Sequence, residues 1–220
     1  MTLLHLPFLR RIPICLLATA AALTTGGCAA GVTQRATDSG ANVDSLAGSN
    51  RRPVSAVIAS WPAQQRDAAT MMIAKYGQPA VIGDRMLAWF GNGPFVQSVI
   101  ARDEVPHNFT MAHVDFLAQT VRHRVPADRL AALNEYDGSV WYHRTRGELT
   151  AQCDVEAMNF LALNLAHDVI VGTRTPADAR AFYAKTAMAF KQGDKSSPYV
   201  VGLMFQQEPN AADPDKPHAM

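Results

Sequence analysis

The spacing of apolar residues predicts a chain of short helices and strands, and the clearest stretch is 139–172. Two runs with strand character, 139–145 and 148–153, flank Arg146-Gly147 and predict a β-hairpin. Asp154 then takes the position of a helix N-cap, and Gly172 that of the glycine that ends a helix. The helix over 154–171 has an apolar stripe made of Met158, Leu161, Leu165 and Val169. We therefore expect a buried helix beside a hairpin in the core.

The same patterns extend to the rest of the chain. Further helices are expected over about 62–76, 111–122, 126–134 and 175–192. Further strands are expected over 79–82, 85–90, 95–101 and 199–205. In the helix over 111–122, the residues Phe116, Leu117, Thr120 and Val121 share one face. About five helices and about six short strands, without regular βαβ alternation, predict a single α+β domain with a mainly antiparallel sheet.

The first 27 residues have the three parts of a bacterial secretion signal. Arg10-Arg11 precedes the apolar run 12–23, and small residues then lead to Cys28. The stretch Thr25-Gly26-Gly27-Cys28 resembles the lipobox of bacterial lipoproteins, with Thr25 in place of the usual leucine. The resemblance implies cleavage after Gly27 and a diacylglycerol on the Cys28 sulfur. The alternative is an ordinary cleaved signal with an incidental cysteine.

Composition divides the remaining chain into three parts. Residues 28–53 are mostly small and polar and predict a flexible tether, 54–207 form the globular domain, and the Pro/Asp-rich stretch 208–220 predicts a disordered tail. Because Ala29 rather than an aspartate follows Cys28, we expect an outer-membrane lipoprotein that faces the periplasm. The formal net charge of +1 argues against a nucleic-acid partner.

Cys153 is the first candidate for chemistry, because a thiol before a helix N-terminus can have a lowered pKa. With Arg146-Gly147 as the hairpin loop, Val140 lies opposite Cys153 and Tyr142 opposite Ala151. This register places Cys153 on the apolar face, where a buried structural cysteine belongs. The alternative is an envelope hydrolase in which Cys153 is the nucleophile and His143 or His113 is the base.

His107, His113 and Asp115 are the second candidate, since two imidazoles and a carboxylate within nine residues could bind a metal ion. In a helix over 111–122, however, His113 and Asp115 would point roughly 200° apart. That geometry favours helix-capping and surface roles over a metal site. Asn159 falls within the apolar arc of the 154–171 helix, so its amide is expected either to tie down a loop or to line a pocket.

Five stretches of residues 54–207 resemble a family of bacterial secreted or lipid-anchored proteins for which no activity is established. They are Lys75-Tyr76-Gly77, VPHNF at 105–109, His113-Val114-Asp115, DGSV at 137–140 and GELTAQCDVEAMNFLALNLA at 147–166. The resemblance implies an envelope location and assigns no catalytic residue.

The sequence contains no GxSxG, HExxH, Walker, GxGxxG or CxxC motif, and it predicts no cofactor. We therefore expect a lipid-anchored envelope protein that binds or scaffolds rather than catalyses. Its partners would be the membrane, through the anchor, and an envelope protein or small molecule. The alternatives are the Cys153 hydrolase and, after it, a metal-dependent enzyme at His107, His113 and Asp115.

Overall fold

The computed structural model describes residues 52–218, which belong to one compact unit. The predicted signal peptide, the lipobox with Cys28 and the tether up to residue 51 lie outside these residues. Among residues 52–218, each helix is too short or too polar to span a bilayer.

Five α-helices and six strands make up the described part of the chain, so the α+β prediction is confirmed. The helices are α1 (Val54–Ile58), α2 (Ala63–Tyr76), α3 (Leu130–Tyr136), α4 (Glu156–Val171) and α5 (Pro176–Lys191). The strands are β1 (Val81–Gly83), β2 (Met86–Asn92), β3 (Phe95–His107), β4 (His113–Arg122), β5 (Val140–His143) and β6 (Glu148–Cys153).

All six strands form one antiparallel sheet in the order β1-β2-β3-β4-β6-β5. The first four strands follow chain order, and the β5–β6 hairpin then joins the sheet through β6. Strand β4 is therefore central, and its neighbours β3 and β6 supply the residues that meet near its start.

The helices bury one face of this sheet in two apolar clusters. Helices α3, α4 and α5 cover β4, β5 and β6, with Leu149, Leu161 and Leu165 fully buried between them. Helices α1 and α2 cover β2 and β3, with Trp61 and Ile100 at the centre. Alternate residues such as Gln97, Ala118, Thr150 and Gln152 line the opposite face as a shallow groove.

Two predicted elements are wrong, and a third is too short. Residues 113–122 form strand β4 instead of a helix, and residues 199–205 form a short 3₁₀ turn and loop instead of a strand. Strand β3 continues through the polar segment to His107, with a bulge between Ile100 and Val105.

The hairpin register is also wrong, by two residues. Val140 pairs with Ala151 and His143 with Glu148, so the loop contains four residues instead of two. A shift of two keeps every side chain on its face. Cys153 therefore still lies on the apolar face, and it is buried with 4% of its surface exposed.

The C-terminal segment is held against the sheet. Arg144 in the hairpin loop pairs with Asp213 at 2.7 Å, and the Arg124 guanidinium donates to the carbonyl of Asn210 at 2.6 Å. The structure thus gives residues 208–215 defined contacts, where composition predicted a disordered tail.

Candidate functional site

The sheet register brings His107, His113 and Asp115 together. His107 at the end of β3 is paired directly with His113 at the start of β4. Asp115 lies two residues further along β4, so its side chain is on the same face as that of His113. The predicted helix over 111–122 would have pointed the side chains of His113 and Asp115 apart. In strand β4 they lie on one face and converge.

Asp115 is the centre of the group, and its side chain is fully buried. Its Oδ2 lies 3.0 Å from Nδ1 of His107, and its Oδ1 lies 3.1 Å from Nε2 of His113. Both imidazoles are 19% exposed. The ligand atoms of the three residues all lie within 4.8 Å of one another.

Each imidazole has an acceptor near its other nitrogen, and for His113 that acceptor makes a hydrogen bond. Nδ1–H of His113 donates to the carbonyl of Met111 at 2.8 Å, which leaves Nε2 as the unprotonated nitrogen of the neutral ring. Nε2 of His107 lies 3.6 Å from Oδ1 of Asp137. Carboxylates and backbone carbonyls commonly hold metal-binding histidines in this way.

The turn before β5 supplies this second carboxylate. Asp137 Oδ1 accepts from the backbone N–H of Ser139 at 2.8 Å, which fixes the Asp137 side chain in its own turn. The Ser139 hydroxyl donates to Asp115 Oδ2 and lies 3.2 Å from Nδ1 of His107. The sequence indicated only a turn at Asp137-Gly138, and nothing in it showed that this turn meets His107.

Burial dominates the electrostatics of both carboxylates. Desolvation raises the pKa of Asp115, although the Ser139 hydroxyl and the two imidazoles act in the opposite direction. Desolvation likewise raises the pKa of Asp137. Among the described residues, Oδ1 of Asp115 has no hydrogen-bond partner, although it lies 3.1 Å from Nε2 of His113. A buried carboxylate beside two imidazole nitrogens has the donor set that binds a cation.

Cys153, at the end of β6, adjoins the same group. Its Sγ lies 3.5 Å from Nε2 of His113, 3.5 Å from Asp154 Oδ1 and 3.9 Å from the Tyr183 hydroxyl. Burial raises its thiol pKa well above the ordinary value, and the charges of Asp154 and Asp115 add to the effect. The lowered pKa that a helix N-terminus can produce is therefore not found here.

His143 and Asn159 do not belong to this site. His143 is exposed at the far end of β5, where its Nδ1 accepts from the backbone N–H of Arg146, so it is no base for Cys153. Asn159 is fully buried and donates to the carbonyl of Leu117 and to Gln119 Oε1, both in β4. It joins a helix to a strand instead of tying down a loop or lining the cavity described next.

A cavity of about 260 Å³ opens beside the site. His113, Cys153 and Asp154 form its polar wall, and most of its remaining lining is apolar, from Phe109, Met111, Val155, Met158, Tyr183, Ala187 and Phe190. Lys191 lies at its margin, with its Nζ 4.0 Å from Met111 Sδ. The cavity gives small solutes a path to His113 and Cys153.

Comparisons with family models, curated proteins and solved structures find no match for this chain. The family resemblance of residues 54–207 therefore stays a prediction, and the function must be inferred from the geometry alone.

Proposed function

We propose that this domain binds a divalent transition-metal ion through His107, His113 and Asp115. The observation that carries the proposal is the buried Asp115 carboxylate between two imidazole nitrogens at 3.0 and 3.1 Å, with the His113 ring held by the Met111 carbonyl and Asp137 3.6 Å from the His107 ring. Two imidazoles and one carboxylate are a donor set common to zinc and to non-haem iron sites.

Two of the distances are close to those that such an ion requires. Ligands about 2.0 Å from a tetrahedral ion are about 3.3 Å from one another. The nitrogen–oxygen distances at Asp115 are 3.0 and 3.1 Å and end on its two different oxygens. The three ligand atoms lie within 4.8 Å of one another, so the side chains would have to draw together around the ion. A divalent cation would also offset the cost of burying the Asp115 charge near that of Asp137.

A second candidate is the cysteine hydrolase. It is favoured by one observation, the 3.5 Å contact between Cys153 Sγ and Nε2 of His113 beside the cavity. The raised thiol pKa and the two nearby carboxylates oppose it, because they disfavour the thiolate nucleophile. The two functions use the same nitrogen differently, since a metal-bound Nε2 cannot act as a base.

The predicted envelope location is a separate part of the proposal and rests on the N-terminal sequence. The N-terminal sequence predicts a lipid-anchored protein facing the periplasm, and we retain that location and its membrane partner as part of the proposal. In this arrangement the domain would bind the ion outside the cytoplasm, in a compartment where free thiols are normally oxidised.

Metal content tests the proposal directly. The purified chain is stripped with a chelator and titrated with Zn²⁺, and bound metal is measured by mass spectrometry. We expect one tightly bound Zn²⁺ per wild-type chain. His107→Ala and Asp115→Asn should weaken binding by more than about tenfold, the smallest loss typical of even an outer-shell change.

His143→Ala is the matched control, since it removes an exposed histidine of the same sheet and should bind Zn²⁺ as the wild type does. Circular dichroism shows whether each variant keeps the fold. A wild-type chain that binds no Zn²⁺, or folded variants at His107 and Asp115 that bind it as tightly as His143→Ala does, would overturn the proposal.

A further inference from the structure

We infer that Cys153 is a fourth ligand of this metal site, so that a thiolate joins His107, His113 and Asp115. The inference rests on the proposed metal-binding function. Cys153 adds a ligand from a third strand, β6, and a sulfur ligand affects which metal ions the site prefers.

The position of Cys153 carries the argument. Its Sγ lies 3.5 Å from Nε2 of His113, the nitrogen that has no proton in the neutral ring. An ion about 2.0 Å from nitrogen and about 2.3 Å from sulfur, at tetrahedral angles, places the two ligand atoms about 3.5 Å apart. The nitrogen–sulfur distance is therefore that of two ligands of one zinc-like ion.

Strand register holds the thiol there. Cys153 is paired with Leu117, two residues from Asp115 on the same face of the central strand. Its neighbours on the other side are polar, Asp154 and the Tyr183 hydroxyl. The sulfur would move toward Asp115 by a side-chain rotation and lose its proton to water as the sulfur–metal bond forms.

The cavity provides the route for the ion. His113 and Cys153 are both part of its wall, so an ion that enters from solvent meets the nitrogen and the sulfur together. Thiolate is a soft ligand that favours zinc, cobalt and copper over magnesium, calcium and manganese. Cys153 would thus strengthen the preference for zinc-like ions that the two imidazoles already give the site.

Cobalt is the probe for the sulfur ligand. The full chain with Cys15→Ser and Cys28→Ser has Cys153 as its one thiol. On addition of one equivalent of Co²⁺ we expect a thiolate-to-cobalt charge-transfer absorption in the near ultraviolet. Cys153→Ser should abolish this absorption while cobalt still binds, and should weaken Zn²⁺ binding more than about tenfold with little change for Mn²⁺.

The outcomes separate this inference from the function on which it rests. Cobalt bound without the charge-transfer absorption, or equal Zn²⁺ affinity in folded Cys153→Ser and its parent, overturns the role of Cys153 and leaves the three-residue site standing. Failure of the parent to bind either ion overturns both. Cys153→Ala, checked by circular dichroism, replaces Cys153→Ser if the buried hydroxyl prevents folding.

Discussion

Two independent constraints require a glycine at position 147. Its backbone φ is +63°, in the left-handed region that glycine tolerates and other residues avoid. A Cβ at this position would also lie 2.2 Å from the carbonyl carbon of Ala211 and 2.3 Å from the nitrogen of Ala212. The hairpin loop and the C-terminal segment can therefore lie in contact only if residue 147 has no side chain.

We expect Gly147→Ala to destabilise the protein in two separable ways. The left-handed backbone alone costs about 1–2 kcal/mol, and displacement of the C-terminal segment adds to that cost. In a chain that ends at residue 207, only the backbone cost should remain. Urea unfolding of the wild type and of Gly147→Ala, each in the full chain and in the chain ending at residue 207, measures the two costs. An equal cost in the two chain lengths would contradict a role for the C-terminal segment.

Gly138→Ala is the control for this experiment, because no atom lies within 4 Å of its added Cβ. Gly138 also precedes the same hairpin in sequence. Its substitution should change the free energy of unfolding equally in both chain lengths.

The role of a single residue could be predicted when it depends on neighbours in sequence, and could not when it depends on distant ones. The burial of Cys153 followed from alternation along one strand, and it survived a register error of two residues. The role of Asp137 could not be predicted, because its contact with His107 joins positions 30 residues apart across a loop and a sheet edge. The pattern of residues around either position does not show that His107 and Asp137 meet.

At the level of elements, β4 shows why the sequence favoured capping and surface roles for His113 and Asp115 over a metal site. Six of its ten residues are buried, including Asp115 and Gln119, so no simple alternation of apolar and polar residues marks it as a strand. Central strands buried on both faces lose that alternation. Four apolar or small residues at helical spacing then predicted a helix, and this one error separated His113 from Asp115.

Helix α4 and strand β4 are joined by a buried polar network as well as by apolar contacts. The Asn159 amide donates to the Leu117 carbonyl at 2.9 Å and to Gln119 Oε1 at 3.0 Å. The Gln119 amide in turn donates to Glu156 Oε2 at 2.9 Å. These bonds satisfy polar groups that would be costly to bury alone.

Replacement of Asn159 should therefore destabilise the domain. In Asn159→Leu the Oε1 atom of Gln119 loses its donor in a buried position, and we expect a loss of about 1–3 kcal/mol in the free energy of unfolding. Asn134→Leu, at an exposed position of helix α3, is the matched control and should change stability by less than about 0.5 kcal/mol. Equal urea midpoints for the two variants would exclude this role.

For the whole molecule, the class of fold could be predicted but the assembly of the site could not. The mixed helix and strand content, the antiparallel sheet and the end of α4 at Gly172 follow from local patterns, whereas the predicted cap Asp154 lies outside α4, which follows Val155 and has no side-chain cap. The site combines the end of β3, the start of β4, the turn before β5 and the end of β6. Its geometry depends on the strand order, which short-range sequence signals do not contain.

A second pair of histidines links the C-terminal segment to the core. Nε2 of His123 lies 2.8 Å from Nδ1 of His167, and the Phe205 ring stacks on the His167 ring at 4.7 Å. The charged groups around the pair are Glu208, 3.6 Å from His123 Nδ1, and Asp168. Nδ1–H of His123 donates to the Arg124 carbonyl.

This pair makes stability depend on pH. Burial lowers the pKa of both His123 and His167 below the ordinary 6.5, and for His167 the charge of His123 lowers it further. The folded state therefore holds fewer protons than the unfolded state. The contribution to stability is complete above pH 6.5 and is lost as the pH falls through the folded pKa values. Below them, two imidazolium ions would repel each other beneath Phe205.

Substitution isolates this contribution from that of the other histidines. In metal-free protein, the urea midpoint should fall between about pH 7.5 and about pH 5, and it should fall less in His167→Gln than in the wild type. In His143→Gln, at an exposed position, the urea midpoint should fall by as much as it does in the wild type. An unchanged pH dependence in His167→Gln would show that the acid sensitivity arises elsewhere, because the amide keeps one hydrogen bond to His123 but cannot acquire its repelling charge.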